Sequence, residues 1–230
     1  MHKFLIDVLI PAYNEELSIA KVIGDINKQL VREIVVIDNN SRDLTSINAT
    51  NAGATVIQEK RQGYGAACLK GITFLQGKKL PPDIVVFMDA DYSDRADEME
   101  QLISPIINGD AQLVIGSRAL GIVENKAMTI PQIFGNWLAT RMLQLFYGVR
   151  FTDLGPFRAI RWESLLSLKM EDTNYGWTVE MQLKAAKQKL NCVEVPVSYR
   201  RRIGKSKISG TVKGTLLAGY KIILTIFKYL

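Results

Sequence analysis

An alternation constrains this chain more than anything else. Over its first 118 residues, short β-rich runs take turns with stretches of helical periodicity. "FLIDVLI" (4–10), "EIVVIDNNS" (33–41), "ATVIQ" (54–58), "DIVVFM" (83–88) and "AQLVIGSR" (111–118) read as strands. Between them, "EELSIAKVIGDINKQL", Leu44–Asn51, a helix opened by the loop "RQGYGAA" and running to Leu75, and Ala96–Ile107 read as helices. Strands that alternate with helices form βαβ units, so the expected fold is α/β, a largely parallel sheet covered on both faces.

The second half is less regular. "GIVENKAMTIP" (121–131) reads as a mobile polar loop, Gln132–Tyr147 as a helix, and "FTDLGPFRAI" (151–160) as a loop passing into a strand. Helices over Trp162–Leu168 and Trp177–Gln188 and a strand "NCVEVPVSYR" (191–200) follow. No linker or internal repeat divides residues 1–209, so they are expected to form one domain, with 210–230 appended. In that last segment, "GTVKGTLLAGYKIILTIFKYL", Lys221, Thr225 and Lys228 share one narrow helical face and nearly everything else is apolar. It reads either as a helix packed on the core or as one lying in a membrane interface with its lysines toward headgroups. No apolar run of transmembrane length and no secretory leader pattern is seen.

In an open parallel sheet, ligands bind beyond the carboxyl ends of the strands. Four such ends here carry polar residues: "PAYNEE", Asp38-Asn39-Asn40-Ser41, Arg61–Gly65 and Asp89-Ala90-Asp91. Local turns and caps account for such residues one at a time, but less well for four on one sheet edge. In "VVFMDADYSD", Asp89, Asp91 and Asp94 crowd into six positions after an apolar strand. Like charges repel, so the cluster calls for a cation. Asp89 and Asp91, alternate residues at a strand end, suit Mg²⁺ or Mn²⁺, and Asp94 suits a helix cap. The only histidine is His2, which removes His-based triads, His-ligated zinc and a His general base. Any catalysis falls to carboxylates, Lys/Arg, hydroxyls or an oxygen-held metal.

Net charge is +6, and Arg200, Arg201, Arg202, Lys205 and Lys207 fall within eight residues. The cluster suits a phosphorylated ligand or a membrane surface. It lacks interleaved aromatics, which speaks against nucleic acid. Cys68 and Cys192 stand far apart in apolar contexts and read as free, reduced core residues of a cytoplasmic chain.

"IPAYNEE", Asp38, "DADYSD" and "VIGSR", in this order, resemble a family 2 glycosyltransferase of the GT-A fold, and within it the dolichyl- or polyprenyl-phosphate sugar synthases. The resemblance runs from about Phe4 to Lys207. It implies an inverting, metal-dependent hexosyl transfer from a UDP- or GDP-linked sugar to a lipid phosphate at the cytosolic face of a membrane. It implies that Pro11, Ala12, Tyr13 and Glu15 border the base and ribose and that Asp38 holds the base. Gly63 and Ala66 would let the backbone approach it. Asp91 would bind the metal, with Asp89 helping or touching the ribose. Arg118 would face phosphate or sugar, unless it forms an ordinary surface ion pair. "RRIGKSK" resembles a loop closing over the phosphates and nominates Arg202 and Lys205.

One departure affects the mechanism. Asp153 and Phe157-Arg158 fit the relatives' D-x-G-D-F-R pattern, but Pro156 replaces its inner acid. Asp153 is then expected to orient the acceptor or hold Arg158, and to act as a base only toward a hydroxyl. Trp177 and Glu180 would border the acceptor, or Trp177 would be core. Two rival readings stand beside this one. One is a soluble family 2 enzyme acting on a sugar or small-molecule hydroxyl. The other is a non-catalytic nucleotide-sugar-binding module.

Overall fold

The computed structural model describes residues 4–204 and 212–229. His2, Lys205 and Lys207 lie outside the described residues. One sheet of seven strands has the order β3-β2-β1-β4-β6-β5-β7. The strands are β1 (Ile6–Ala12), β2 (Glu33–Asp38), β3 (Thr55–Gln58), β4 (Ile84–Phe87), β5 (Leu113–Ser117), β6 (Arg158–Arg161) and β7 (Cys192–Pro196). β1 to β4 are mutually parallel, with Val8 opposite both Ile34 and Val86. β6 runs antiparallel between β4 and β5, and β7 is parallel to β5. The sheet is therefore mixed, with one reversed strand inserted by the less regular second half.

Period-two alternation splits each central strand between two cores. Val8, Ile10, Val36 and Val86 face α1 (Ile19–Asp25), α2 (Thr45–Asn51) and α4 (Met99–Ile107), the last preceded by a 3₁₀ turn over Ala96–Glu98. Leu9, Val35, Ile37, Val85 and Phe87 face the other layer. That layer contains α3 (Tyr64–Gln76), α5 (Ile130–Tyr147), α6 (Trp162–Leu168), α7 (Trp177–Lys187) and α8 (Val212–Lys228). Each large aliphatic side chain so buried stabilises the fold by about 1.5–3 kcal/mol. Trp177 is core, fully buried with its ring 6.0 Å from Phe87. Both cysteines are free.

Three local expectations need correction. α1 starts at Ile19 instead of within "EELS", because those acids are used elsewhere: Glu15 pairs with Arg202, and Glu16 accepts the Leu44 N–H. The 121–131 loop is not free. Tyr199 donates its N–H to the Ile122 carbonyl, Glu124 donates its N–H to the Tyr199 carbonyl, and the Arg201 N–H goes to the Glu124 carboxylate. The lysine face of α8 points at the protein: Lys221 lies 3.1 Å from Asp172 and Lys228 3.0 Å from Glu171. Ile226 of the same helix is fully buried, while Leu217, Tyr220, Leu224 and Phe227 face outward. No helix among the described residues is long and apolar enough to cross a membrane.

Candidate active site

A cavity of about 540 Å³ opens where β1, β2 and β4 end. Pro11, Ala12, Tyr13 and Glu15 line it from β1, Gly63 from the mouth of α3, Asp89 and Asp91 from β4, and Arg202 from the segment after β7. The turns after these three strands each place a non-glycine residue in the left-handed region, Asn14 (φ 53°), Asn40 (φ 66°) and Tyr92 (φ 70°). Asparagine tolerates that conformation, but a bulky tyrosine does so only under constraint. Tyr92 is held by Arg200, whose guanidinium sits 3.2 Å from the ring centroid and donates to the Tyr92 carbonyl.

The acidic cluster is built on local hydrogen bonds. One oxygen of Asp91 accepts the Ser93 N–H at 2.9 Å and the Ser93 hydroxyl at 2.5 Å. The other faces Arg202 at 3.1 Å, and Arg202 bridges on to Glu15 at 2.9 Å. Asp94 accepts the Asp89 N–H at 3.0 Å. Burial, then repulsion by Asp94 and Asp91, pushes the Asp89 carboxyl well above the usual range. Burial likewise raises Asp94 to about 7. This crowding is the electrostatic frustration that a cation relieves. All nearby donors are oxygens, the set that suits a hard divalent ion. Among the described residues, no group of three or more His, Cys, Asp or Glu side chains is arranged to hold a metal unaided. An ion at Asp89 and Asp91 would have to complete its shell with ligand or water oxygens, and the all-oxygen set fits Mg²⁺ or Mn²⁺ in that shared role.

The basic segment is docked across this cluster. The N–H of Ile203 donates to the Asp91 carbonyl and that of Arg200 to the Ser93 carbonyl. Each arginine has a different partner: Arg200 pairs with Asp25, Arg201 donates to the Asn125 carbonyl, and Arg202 faces the cavity. Lys205 falls outside the described residues.

Four nominated residues do not line the cavity. Asp38 is buried, and its carboxylate accepts from the Ser41 N–H, Ser46 and Gln58. Burial alone would raise it, but these hydrogen bonds outweigh burial and hold it below the ordinary value. Its neighbour Asn39 lines the cavity instead, bonded to Glu59, Arg61 and Gly63. Ala66 donates its N–H to the Thr173 carbonyl. A Cβ on Gly63 would lie 2.2 Å from that same oxygen, so the backbone approaching these small residues is the chain's own.

Arg118 and Asp153 form a buried fork: Nε and the backbone N–H of Arg118 donate to one Asp153 oxygen at 2.7 and 2.8 Å, and Nη2 to the other at 2.6 Å. The pair borders a separate cavity of about 390 Å³, with Lys126, Ile133 and Asn136. Asp153 therefore holds Arg118 and not Arg158. The latter is fully buried and donates to the carbonyls of Leu154, Gly155 and Thr178. Glu180 is buried beneath the wall, where it accepts the N–H groups of Glu171 and Asp172.

Gln62, Tyr64 and Ala90, within strand ends named from the sequence but given no individual role, also line the main cavity, and Ala67, Asn174 and Tyr175 line it without having been anticipated. Most adjoin nominated residues. Asn174 and Tyr175 come from a distant segment, and the one hint of them is the pair of small residues at Gly63 and Gly65 that admits it.

The family model for glycosyl transferase family 2 matches residues 7–168. An uncharacterised glycosyltransferase of Mycobacterium tuberculosis is 33% identical over 217 residues, covering 93% of this chain and 94% of that protein. Undecaprenyl-phosphate mannosyltransferase of Micrococcus luteus is 29% identical over 220 residues, 90% of this chain and 88% of that one. Among solved structures, glucosyl-3-phosphoglycerate synthase from Mycobacterium tuberculosis, in complex with Mn²⁺, UDP-glucose and phosphoglyceric acid, superposes with a TM-score of 0.78. It is 24% identical, and the match covers 98% of this chain and 79% of that one. The mixed sheet with helices on both faces is thus the expected GT-A architecture. With its family model spanning β1 to α6, the chain belongs to glycosyl transferase family 2.

Proposed function

We propose that this enzyme transfers a hexose, with inversion, from a UDP- or GDP-linked sugar to a polyprenyl or dolichyl phosphate, working in the cytoplasm against a membrane surface. The donor binds in the cavity of about 540 Å³, with base and ribose bordered by Pro11, Ala12, Tyr13, Glu15 and Asn39. Asp91, assisted by Asp89, would hold Mg²⁺ or Mn²⁺, which would supply neutralising charge to a departing nucleoside diphosphate. Arg202, kept beside Asp91 by Glu15, meets anionic oxygens there and stabilises the charge that develops on them.

One observation carries the choice of acceptor: both oxygens of Asp153 are engaged by Arg118. A carboxylate so occupied is a poor general base, and a hydroxyl acceptor needs one. A phosphate monoester does not, since its second pKa is about 6 and it is already largely anionic at pH 7. The mannosyltransferase of Micrococcus luteus is named for a lipid phosphate of this kind. The phosphoglycerate enzyme that shares the fold supports the rival, a soluble acceptor, as does the burial of Ile226 in α8.

The deciding experiment is transfer from radiolabelled UDP-glucose, UDP-N-acetylglucosamine and GDP-mannose to undecaprenyl phosphate or to 3-phosphoglycerate, with Mn²⁺ or EDTA. Label in the lipid phase, abolished by EDTA and by Asp91→Ala, is expected. Full activity in EDTA removes the metal role, and label only in phosphoglycerate replaces the lipid acceptor.

A further inference from the structure

We infer that the outer face of α5 is a docking surface for a lipid bilayer bearing anionic headgroups. A helix on a globular surface turns its apolar stripe inward. α5 turns Ala139 and Leu143 inward but keeps a second apolar stripe facing outward. Of its 18 residues only Ala139, Thr140 and Leu143 are buried. Its outward stripe reads Ile130 (83% exposed), Ile133, Phe134, Trp137 and, further on, Leu145 (78% exposed), spaced at helical intervals. The Phe134 and Trp137 rings lie 5.8 Å apart. At the far end Phe146 meets Phe227 of α8, also at 5.8 Å, so the apolar surface continues onto Leu224 and Tyr220. Among the described residues, ten of the eighteen exposed large hydrophobic side chains lie on these two helices, which is the concentration that marks an interaction site.

Charge selects the occupant. Neither helix contains a single Asp or Glu, and the one charge on α5 is Arg141, exposed and bonded to Gln144 of the same helix. Lys126 is exposed just ahead of α5. A protein partner calls for a rim of both signs, whereas an anionic bilayer repels carboxylates, attracts Arg and Lys, and seats Trp and Tyr at headgroup level. Trp137 and Tyr220 are 52% and 63% exposed, as that placement requires. The face also reaches the chemistry, because Ile133 lines the cavity of about 390 Å³ that contains Arg118, Asp153 and Lys126. This deepens the lipid-acceptor reading and rests on it for its purpose. It also moves the membrane contact: the lysines of α8 pair with Glu171 and Asp172, and six of those ten exposed residues lie on α5.

The test uses the full chain and vesicles of phosphatidylcholine with or without phosphatidylglycerol, lacking any polyprenyl phosphate. Trp162 and Trp177 are buried, so a change in tryptophan emission reports Trp137. Binding to the anionic vesicles should shift emission to the blue, and brominated acyl chains should quench it. The Ile133→Ser, Phe134→Ser double variant alters exposed positions only. It should keep wild-type thermal stability and lose at least about tenfold in partitioning, equivalent to about 1.4 kcal/mol. The proposal is overturned if the wild type ignores both vesicles, if the variant binds equally well, or if Trp137 proves buried in a stable dimer. Transfer to a short, water-soluble prenyl phosphate is measured separately. Its failure alongside intact vesicle binding overturns the acceptor reading alone, and the converse overturns only the docking face.

Discussion

Gly65→Ala tests how the main cavity, the proposed donor site, is walled. The wall residues Asn174 and Tyr175 follow Asp172 and Thr173, whose carbonyls press on the opening of α3. A Cβ on Gly65 would fall 2.0 Å from the Asp172 oxygen and 2.8 Å from the carbonyl carbons of Asp172 and Thr173. Ordinary contact begins near 3.4 Å, so the two segments must separate by about 1.4 Å, and the atoms in conflict are all backbone. The N–H of Ala66 now reaches the Thr173 oxygen at 2.9 Å and would lose that bond. Overpacking of this kind costs about 1–3 kcal/mol. The wall cannot swing freely, because Glu180 holds Glu171 and Asp172 while Lys221 pins Asp172. Nucleotide affinity should therefore fall about tenfold or more, read by calorimetry with UDP and GDP, alongside a lower urea midpoint. Gly135→Ala on α5 is the control, since a Cβ there has nothing within 4 Å. It should stabilise the protein by up to about 1 kcal/mol and leave nucleotide binding unchanged. A folded Gly65→Ala protein with wild-type nucleotide affinity would refute the reasoning, because the 172–175 segment could not then be the wall.

Asp153→Ala leaves the Arg118 guanidinium buried without its partner and should destabilise the fold by about 3–5 kcal/mol in urea titrations. Asp153→Asn should keep the wild-type shape of the pH–rate profile, whereas loss of its acidic limb would reinstate Asp153 as a base. Asp38→Asn should lower stability at neutral pH. The native carboxyl is held below its ordinary value, so its contribution is present above the unfolded pKa near 4 and fades as pH falls through the native value. The gap between wild type and variant in urea midpoints should therefore narrow on going from pH 7 to pH 3. A constant gap would show that the amide lacks packing and not charge.

The parallel half of the sheet was legible because each of its strands is a short apolar run bounded by turn residues, and the period of the pattern changes at each helix. β6 was harder. "FRAI" looks the same whichever way it runs, and its reversal depends on where α5 returns the chain, which no local pattern encodes. The start of α1 was misplaced for a related reason. Glu15 and Glu16 are good helix formers, yet tertiary bonds to Arg202 and to the Leu44 N–H take them out of the helix. The helical period at 210–230 identified α8 but not which side of it faces the protein, because its partners Asp172 and Glu171 lie 49 and 57 residues away in sequence.

The site divides along the same line. Residues at the ends of β1 and β4 were identifiable because their own spacing creates a physical problem, three carboxylates where a strand ends, whose solutions are few. The part of the site that answers the problem from a distance was visible only as composition. Five cations in eight residues suggested one patch, but the fold separates its arginines: Arg200 onto Tyr92 and Asp25, Arg201 onto the 124–125 loop, and Arg202 alone into the cavity. The acids explain the sorting. Asp91 and Glu15 need a partner that reaches both at once, and a planar guanidinium presents donors on two edges where an ammonium presents a point charge. Arg202→Lys should therefore fold normally and yet bind nucleotide more weakly, because one ammonium cannot face Glu15 and Asp91 together and still meet a diphosphate. Wild-type nucleotide affinity in Arg202→Lys, measured with Mn²⁺ present, would show that any positive charge suffices there and that the fork has no part in holding the donor.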